Sequence, residues 1–402
     1  MGFDFTSIID RHGHDSLAVD GLGDATGFAP AKPQEGFDSL PMWVADMGFA
    51  TAPSVVRAMR ERLDHPVFGY YTPSNRYYEA IIGWHRERKG VTDLLPEHIG
   101  YQNGVLGGVV SALNVLCSKG ENVLVHSPTY VGFTHAVGNN GYHLVHSPLV
   151  LDERGVWRMD FEDMEARIRE HHIHAAIFCS PHNPCGRAWE RWEIERAMDV
   201  FERNDVYVVA DEIWSDLLLD DHIHIPTQSV SPWAHDHVIS LYAPSKTFNL
   251  AGLVGSYHVV YDPWLRDRIS RESGLSHYNA QNVLSMHALL GAYSAEGAAW
   301  ADELCTVLSK NARYAFEHVR ARYSGVQMTR AEATYVLLLD CEQWCREHGV
   351  SNDELVRRGW DVGVTWHDGR LFACPWCVRL NVALPHAQVA EAFDRLDRYV
   401  FV

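Results

Sequence analysis

Short, continuously apolar runs alternate with stretches of helical periodicity through the middle of the chain. NVLVHS at 122–127, YHLVHS at 142–147, HAAIFCS at 174–180 and VYVVAD at 206–211 have the length of strands, and their apolar continuity predicts burial in a sheet. Helical patterns fill the gaps, with helices expected from about Asp160 and from about Glu190. Strand and helix in alternation specify an α/β fold: a mostly parallel sheet flanked by helices. VISLYA (238–243) and GSYHVVY (255–261) extend the series, and the short link between them calls for an antiparallel member.

After Pro263 the texture changes to helical segments, one running from about Ala298 to Arg322, followed by the strands TYVLLLD and CVRLNVAL and a last helix from His386. This pattern predicts a smaller α+β domain. A chain of 402 residues exceeds one ordinary core, yet no Pro/Gly/Ser linker or internal repeat divides it. Three regions sharing a broad interface are expected: an N-terminal arm, 1–48, joining the small domain; a large domain, 49–285; and a small C-terminal domain, 286–402.

Charge narrows the partners. Lys and Arg number 34 against 52 Asp and Glu, a formal net charge of −18, which repels nucleic-acid phosphates and anionic lipid. No apolar run is long enough to span a bilayer, and the opening MGFDFTSIIDRHGHD lacks the basic and apolar regions of a secretion signal, so a cytoplasmic protein is expected. The eight cysteines then read as reduced thiols. Cys374-Pro-Trp-Cys377 runs straight into a strand rather than a helix N-terminus, so it reads as two packed thiols, not a redox or zinc pair. None of the 24 histidines falls in an HExxH pattern; they read as solvated or structural, with no metal site.

Five features, three at or just beyond strand ends, one at a helix start and one within a strand, fit the demands of pyridoxal 5′-phosphate (PLP): an amine, a carboxylate for the pyridine nitrogen, a phosphate cup and a cation for the substrate carboxylate. Lys246 follows the strand VISLY, at the edge where open α/β sheets place ligands; the alternative is a solvated charge. Asp211 ends VYVVAD, where it suits either a pyridinium or a helix N-cap. Asn183 in SPHNPCGR can donate to the cofactor's ring oxygen or merely form a turn. The glycine-rich start of QNGVLGGVVSALNVL offers backbone amides to an anion. Arg379 lies within a strand, where its planar fork suits a carboxylate; a structural ion pair is the other reading.

Taken in order, GVL, HSPTY, SPHNPCGR, ADEIWSDL, SKTFNLAGL and VRLN resemble the fold type I PLP enzymes of the class I/II aminotransferase superfamily. FDFTSIIDRHG, MWVADMGFATAP and HPVFGYYTP narrow the resemblance to the cystathionine β-lyase and carbon–sulfur lyase branch, across essentially the whole chain. The resemblance implies that Lys246 is the Schiff-base lysine and general acid/base, Asp211 the partner of the pyridine nitrogen and Asn183 the contact to the ring oxygen. It implies that Tyr130 stacks on the cofactor, that Val105 and Leu106 offer amides and Ser245 a hydroxyl to its phosphate, and that Arg379 holds the substrate α-carboxylate. Tyr70 would reach the phosphate from a neighbouring subunit, which implies a homodimer with shared sites. Ala243, Gly48, Trp214 and the stretch FACPWC depart from that branch's usual Ser, Asp, His and glycine-rich approach.

The implied reaction is β-elimination from cystathionine or a related cysteine thioether, giving a thiol, pyruvate and ammonia. An aminotransferase, another PLP reaction such as racemisation, and a non-catalytic regulator on the same scaffold remain open, because motifs do not fix the fate of the carbanion.

Overall fold

A computed structural model of the protein describes residues 2–24, 28–276 and 280–402. Eight strands form the large sheet: β1 (Ile99–Asn103), β2 (Asn122–Ser127), β3 (His143–Leu151), β4 (Trp157–Met159), β5 (Ala175–Cys179), β6 (Tyr207–Asp211), β7 (Val238–Tyr242) and β8 (Gly255–Val259), in the order β1-β8-β7-β6-β5-β2-β3-β4. Parallel pairings join β3, β2, β5, β6 and β7. The antiparallel member expected near the end of the series is β8, which opposes both β7 and β1. The run YHLVHS continues to Leu151 and pairs there with the short antiparallel β4, which the apolar pattern does not signal.

Every residue of β5 and β7 is buried, as a strand covered on both faces requires. Residue parity sorts the two faces. Val123, Ile177, Val209 and Leu241 pack with Val105, Val109 and Leu113 of the helix Val105–Leu116, whereas Leu124, Phe178, Val208 and Ala210 pack with the helices Phe161–Glu170 and Arg191–Arg203. Those two helices begin where the sequence signals them: Asp160 accepts from the Glu162 and Asp163 amides, and Glu190 forms a capping box with Glu193. The helix Pro263–Ser276 joins the large sheet rather than the later domain, because Leu265 and Ile269 pack beside Leu113.

The second sheet is antiparallel, in the order β11-β12-β10-β9, with β9 Gln327–Met328, β10 Val336–Asp340, β11 His367–Asp368 and β12 Cys377–Asn381. The helices Ala295–Arg322 and His386–Tyr399 cover it, and the first starts at the Ser294 cap, a few residues before the expected Ala298. One expectation is corrected here. Cys374 and Cys377 form a disulfide instead of two packed thiols, because the turn after Phe372 brings their Cα atoms within 5.6 Å.

The segment Trp43–Phe49 has no regular secondary structure, yet it bridges the two sheets. Asn249 binds it through the Met47 amide and the Met47 and Phe49 carbonyls, while Asn381, on β12, donates to the Val44 and Asp46 carbonyls at 2.7 and 2.6 Å.

Candidate active site

A cavity of about 300 Å³ opens at the carboxyl ends of β5, β6 and β7. Sheet parity aims Cys179 and Asp211 into it from the face that carries the helix Val105–Leu116. That helix begins at Gly104, whose φ of +76° is a conformation other residues adopt only with strain. Its first backbone bond runs from Gly108 to Gly104, so the amides of Val105, Leu106 and Gly107 face the cavity as donors, with Ser245 opposite.

Burial pushes the Asp211 carboxyl up to about 7, against the opposing pull of the Ile213 amide and Lys246. No helix starts at Asp211; its side chain accepts one bond, from the Ile213 amide at 3.1 Å, which removes the N-cap reading. Among the described residues no Lys, Arg or His lies within salt-bridge distance of it. A buried carboxylate in that condition favours a ligand that brings its own N–H.

Lys246 Nζ donates to the Ala45 carbonyl at 2.7 Å and lies 5.6 Å from the centre of the Trp214 ring. Burial, reinforced by Arg379, lowers its ammonium to about 8, while Asp46 and Asp211 oppose the shift. Tyr130 caps the helix Val131–Asn139 and lines the same cavity. Its ring lies against Gly132, where a Cβ would stand 2.3 Å from Tyr130 Cε1, so that position has room for glycine alone.

Arg379 sits in β12 between Leu338 and His367 and is 2% exposed. Its Nη2 donates to the Trp43 carbonyl at 2.7 Å and to His367 Nδ1 at 3.2 Å, and Nη1 donates to Asn183 Oδ1 at 3.4 Å. Nε has no hydrogen-bond partner among the described residues, and the Phe372 ring centre lies 4.3 Å from the guanidinium carbon. Burial lowers its pKa to about 10. Among the described residues no carboxylate forms an ion pair with it, which removes the structural ion-pair reading. By accepting at Oδ1, Asn183 keeps its Nδ2 donors for a group in the cavity.

The cavity thus gathers Lys246, Asp211, Asn183, Tyr130, Val105, Leu106 and Ser245, with Arg379 bonded to its Asn183 wall. Tyr70 is fully exposed and outside it. Ala243 packs into the sheet core and supplies no hydroxyl. At Gly48 a Cβ would press within 2.8 Å of Leu384, so the glycine permits a tight crossing onto the strip after β12. Sequence reasoning missed Ala45, which acts through its carbonyl, and Tyr335 and His367, which reach the site from the second sheet; the charge of Arg379 inside a strand was the one signal pointing there. A larger cleft of about 850 Å³ lies elsewhere, and several of its charged side chains pair with one another, Asp220 with Arg313 and Arg330, and Arg88 with Asp302.

Comparison with known proteins finds relatives over most of the chain. The chain is 36% identical over 349 residues to the cystathionine β-lyase PatB of Bacillus subtilis, covering 87% of this chain and 86% of that one. It is 29% identical over 400 residues to the protein MalY of Escherichia coli, covering 97% and 96%. The structure of the PLP-bound C–S lyase from Staphylococcus hominis superposes with a TM-score of 0.89 at 27% identity, over 100% of this chain and 99% of that one. The sequence model of aminotransferase class I and II matches residues 44–396. The chain belongs to the class I and II aminotransferase family.

Proposed function

We propose that this protein is a PLP-dependent carbon–sulfur β-lyase that cleaves cystathionine or a related cysteine thioether to a thiol, pyruvate and ammonia. One observation carries the reading: a cation-less buried carboxylate, a carboxylate-less buried guanidinium, a helix start with open amides and a titratable lysine converge at one cavity. Each is what the matching part of the cofactor or substrate would satisfy. The names of PatB and of the S. hominis enzyme support the choice of C–S bond cleavage.

In this reading Lys246 Nζ would hold the cofactor covalently, Asp211 would pair with its pyridine nitrogen and Asn183 Nδ2 would donate to its ring oxygen. The Tyr130 ring would cover it, and the Val105 and Leu106 amides with the Ser245 hydroxyl would bind its phosphate. When bound, the cofactor supplies an electron sink for the substrate Cα. Arg379 fixes the α-carboxylate and so presents the Cα proton to Lys246. Lys246 would take that proton only after the substrate amine has displaced it from the cofactor, and the burial that lowers its ammonium to about 8 in the cofactor-free chain suits the released amine to that task.

The reading extends to a cytoplasmic homodimer in which Tyr70 serves the neighbouring site; no helix among the described residues is long and apolar enough to cross a membrane. The same reading divides the chain into an N-terminal arm, a large domain and a small domain, with the second boundary at Tyr293–Ser294 because position 285 falls inside the helix Val283–Ala292, which packs on the helix Pro53–Leu63.

The test is incubation of the holoenzyme with cystathionine and no 2-oxo acid, expecting equal yields of pyruvate and thiol that Lys246→Ala abolishes. Product that appears only with an added 2-oxo acid would replace the lyase by an aminotransferase, the second reading that the family match favours.

A further inference from the structure

We propose that Trp214 and the Ala45 carbonyl form a seat that receives the Lys246 ammonium whenever that amine is not bonded to cofactor, which makes Trp214 a positioning residue for the base. The inference rests on reading Lys246 as the cofactor lysine. Its geometry is independent of that reading: Nζ lies 2.7 Å from Ala45 O and 5.6 Å from the centre of the Trp214 ring, within the range of a cation–π contact.

The seat is built before it is filled. Asn381 Nδ2 binds the carbonyls on both sides of Ala45, so the Ala45 carbonyl has a fixed direction. Tyr335 donates to the same oxygen at 2.9 Å and stands edge-on to Trp214, with ring centres 4.7 Å apart and planes at 75°, which holds the indole in place. Trp214 and Tyr335 are both buried, so neither is free to turn away.

The seat carries no formal charge. The charged groups facing Nζ are Arg379 from β12, Asp211 from β6 and Asp46, whose carboxylate is engaged by Arg11; the hydroxyls of Tyr130 and Tyr335 stand nearby un-ionised. A carboxylate in van der Waals contact would hold Lys246 protonated and spoil it as a base. A neutral carbonyl with an aromatic face stabilises the ammonium only modestly, so the proton taken from Cα has a place to rest and can be returned.

The experiment measures the Lys246 amine directly, in the full chain freed of bound aldehydes. Acetic anhydride labelling across a pH series, read by peptide mass spectrometry, gives the titration midpoint of Lys246 without cofactor or turnover. In Trp214→Met and Trp214→Leu, which lose the ring and keep an apolar filling, the midpoint is expected to fall by about half a unit to one unit. Trp214→Phe keeps a weaker ring and is expected to fall by less, and the acid limb of the kcat profile should move in the same order. A midpoint at or above the wild-type value in any of these variants that folds overturns the seat. Borohydride reduction of the wild-type holoenzyme tests the parent reading separately: a mark on a lysine other than Lys246 defeats the site assignment, whereas a mark on Lys246 with unmoved midpoints defeats the seat alone.

Discussion

Asp211 and Arg379 are single residues whose burial has measurable consequences. In the cofactor-free chain the Asp211 carboxyl titrates near 7 when folded and near its ordinary value of about 4 when unfolded. A raised carboxyl stabilises the fold below the unfolded pKa, and that contribution disappears as pH rises through the folded one. Between pH 4 and 7 the cofactor-free chain should therefore lose stability relative to Asp211→Asn, by on the order of 4 kcal/mol at the limit. Lys246, lowered to about 8, is mostly protonated in that window and is present in both chains, so its own contribution largely cancels from the difference. Urea unfolding of both chains at pH 5 and pH 8 checks the difference. At Arg379, substitution by Lys is expected to raise KM about ten- to a hundredfold for an amino acid, since a two-pronged contact becomes a point charge, and to leave the matching decarboxylated amine nearly unaffected. Steady-state kinetics on the two compounds measures it. Both residues were legible in the sequence because each sits at an unusual place for a charge, at or within an apolar strand. Ala45 was not, because nothing in its methyl side chain reports that its carbonyl accepts from a lysine 201 positions away.

At the scale of elements, period and parity carried most of the fold. Continuous apolar runs found β2, β3, β5, β6 and β7, and residue parity alone explains why Asp211 faces the helix Val105–Leu116 while Glu212 turns to the other side, where it binds His224 and Tyr242. Elements of two or three residues, β4, β9 and β11, were illegible because their pairing is imposed by neighbours rather than by local pattern. The helix Val131–Asn139 offers a paired test. Gly132→Ala places a methyl group 2.3 Å from the Tyr130 ring, so that ring must move and cofactor affinity should fall about tenfold, in proportion to the stacking lost. Gly138→Ala in the same helix meets open space and should stabilise the chain, by up to about 1 kcal/mol. Absorbance titration with cofactor and thermal unfolding separate the two effects.

For the whole molecule, the exposed side chains of Val67, Phe68 and Tyr70 bear on the proposed shared site. Mixing Lys246→Ala chains with Tyr70→Ala chains under conditions of exchange makes about half the dimers mixed, each with one intact site of two. Roughly a quarter of wild-type activity should return if both parents are nearly inactive. Exchange without recovery would confine Tyr70 to its own chain or remove it from the site. The strip Trp43–Phe49 acts across the same scale, since Asn249 lies three residues beyond Lys246 and Asn381 two beyond Arg379, and both grip it. The Met47 amide is held by Asn249 and the Gly48 amide by the Ala383 carbonyl, in a stretch with neither helix nor strand. In deuterated water these two amides should keep their protons about as long as those of β5 and β7, since releasing them requires the two sheets to part, and mass spectrometry of the exchanging peptide would record an irregular loop with the protection of a core strand.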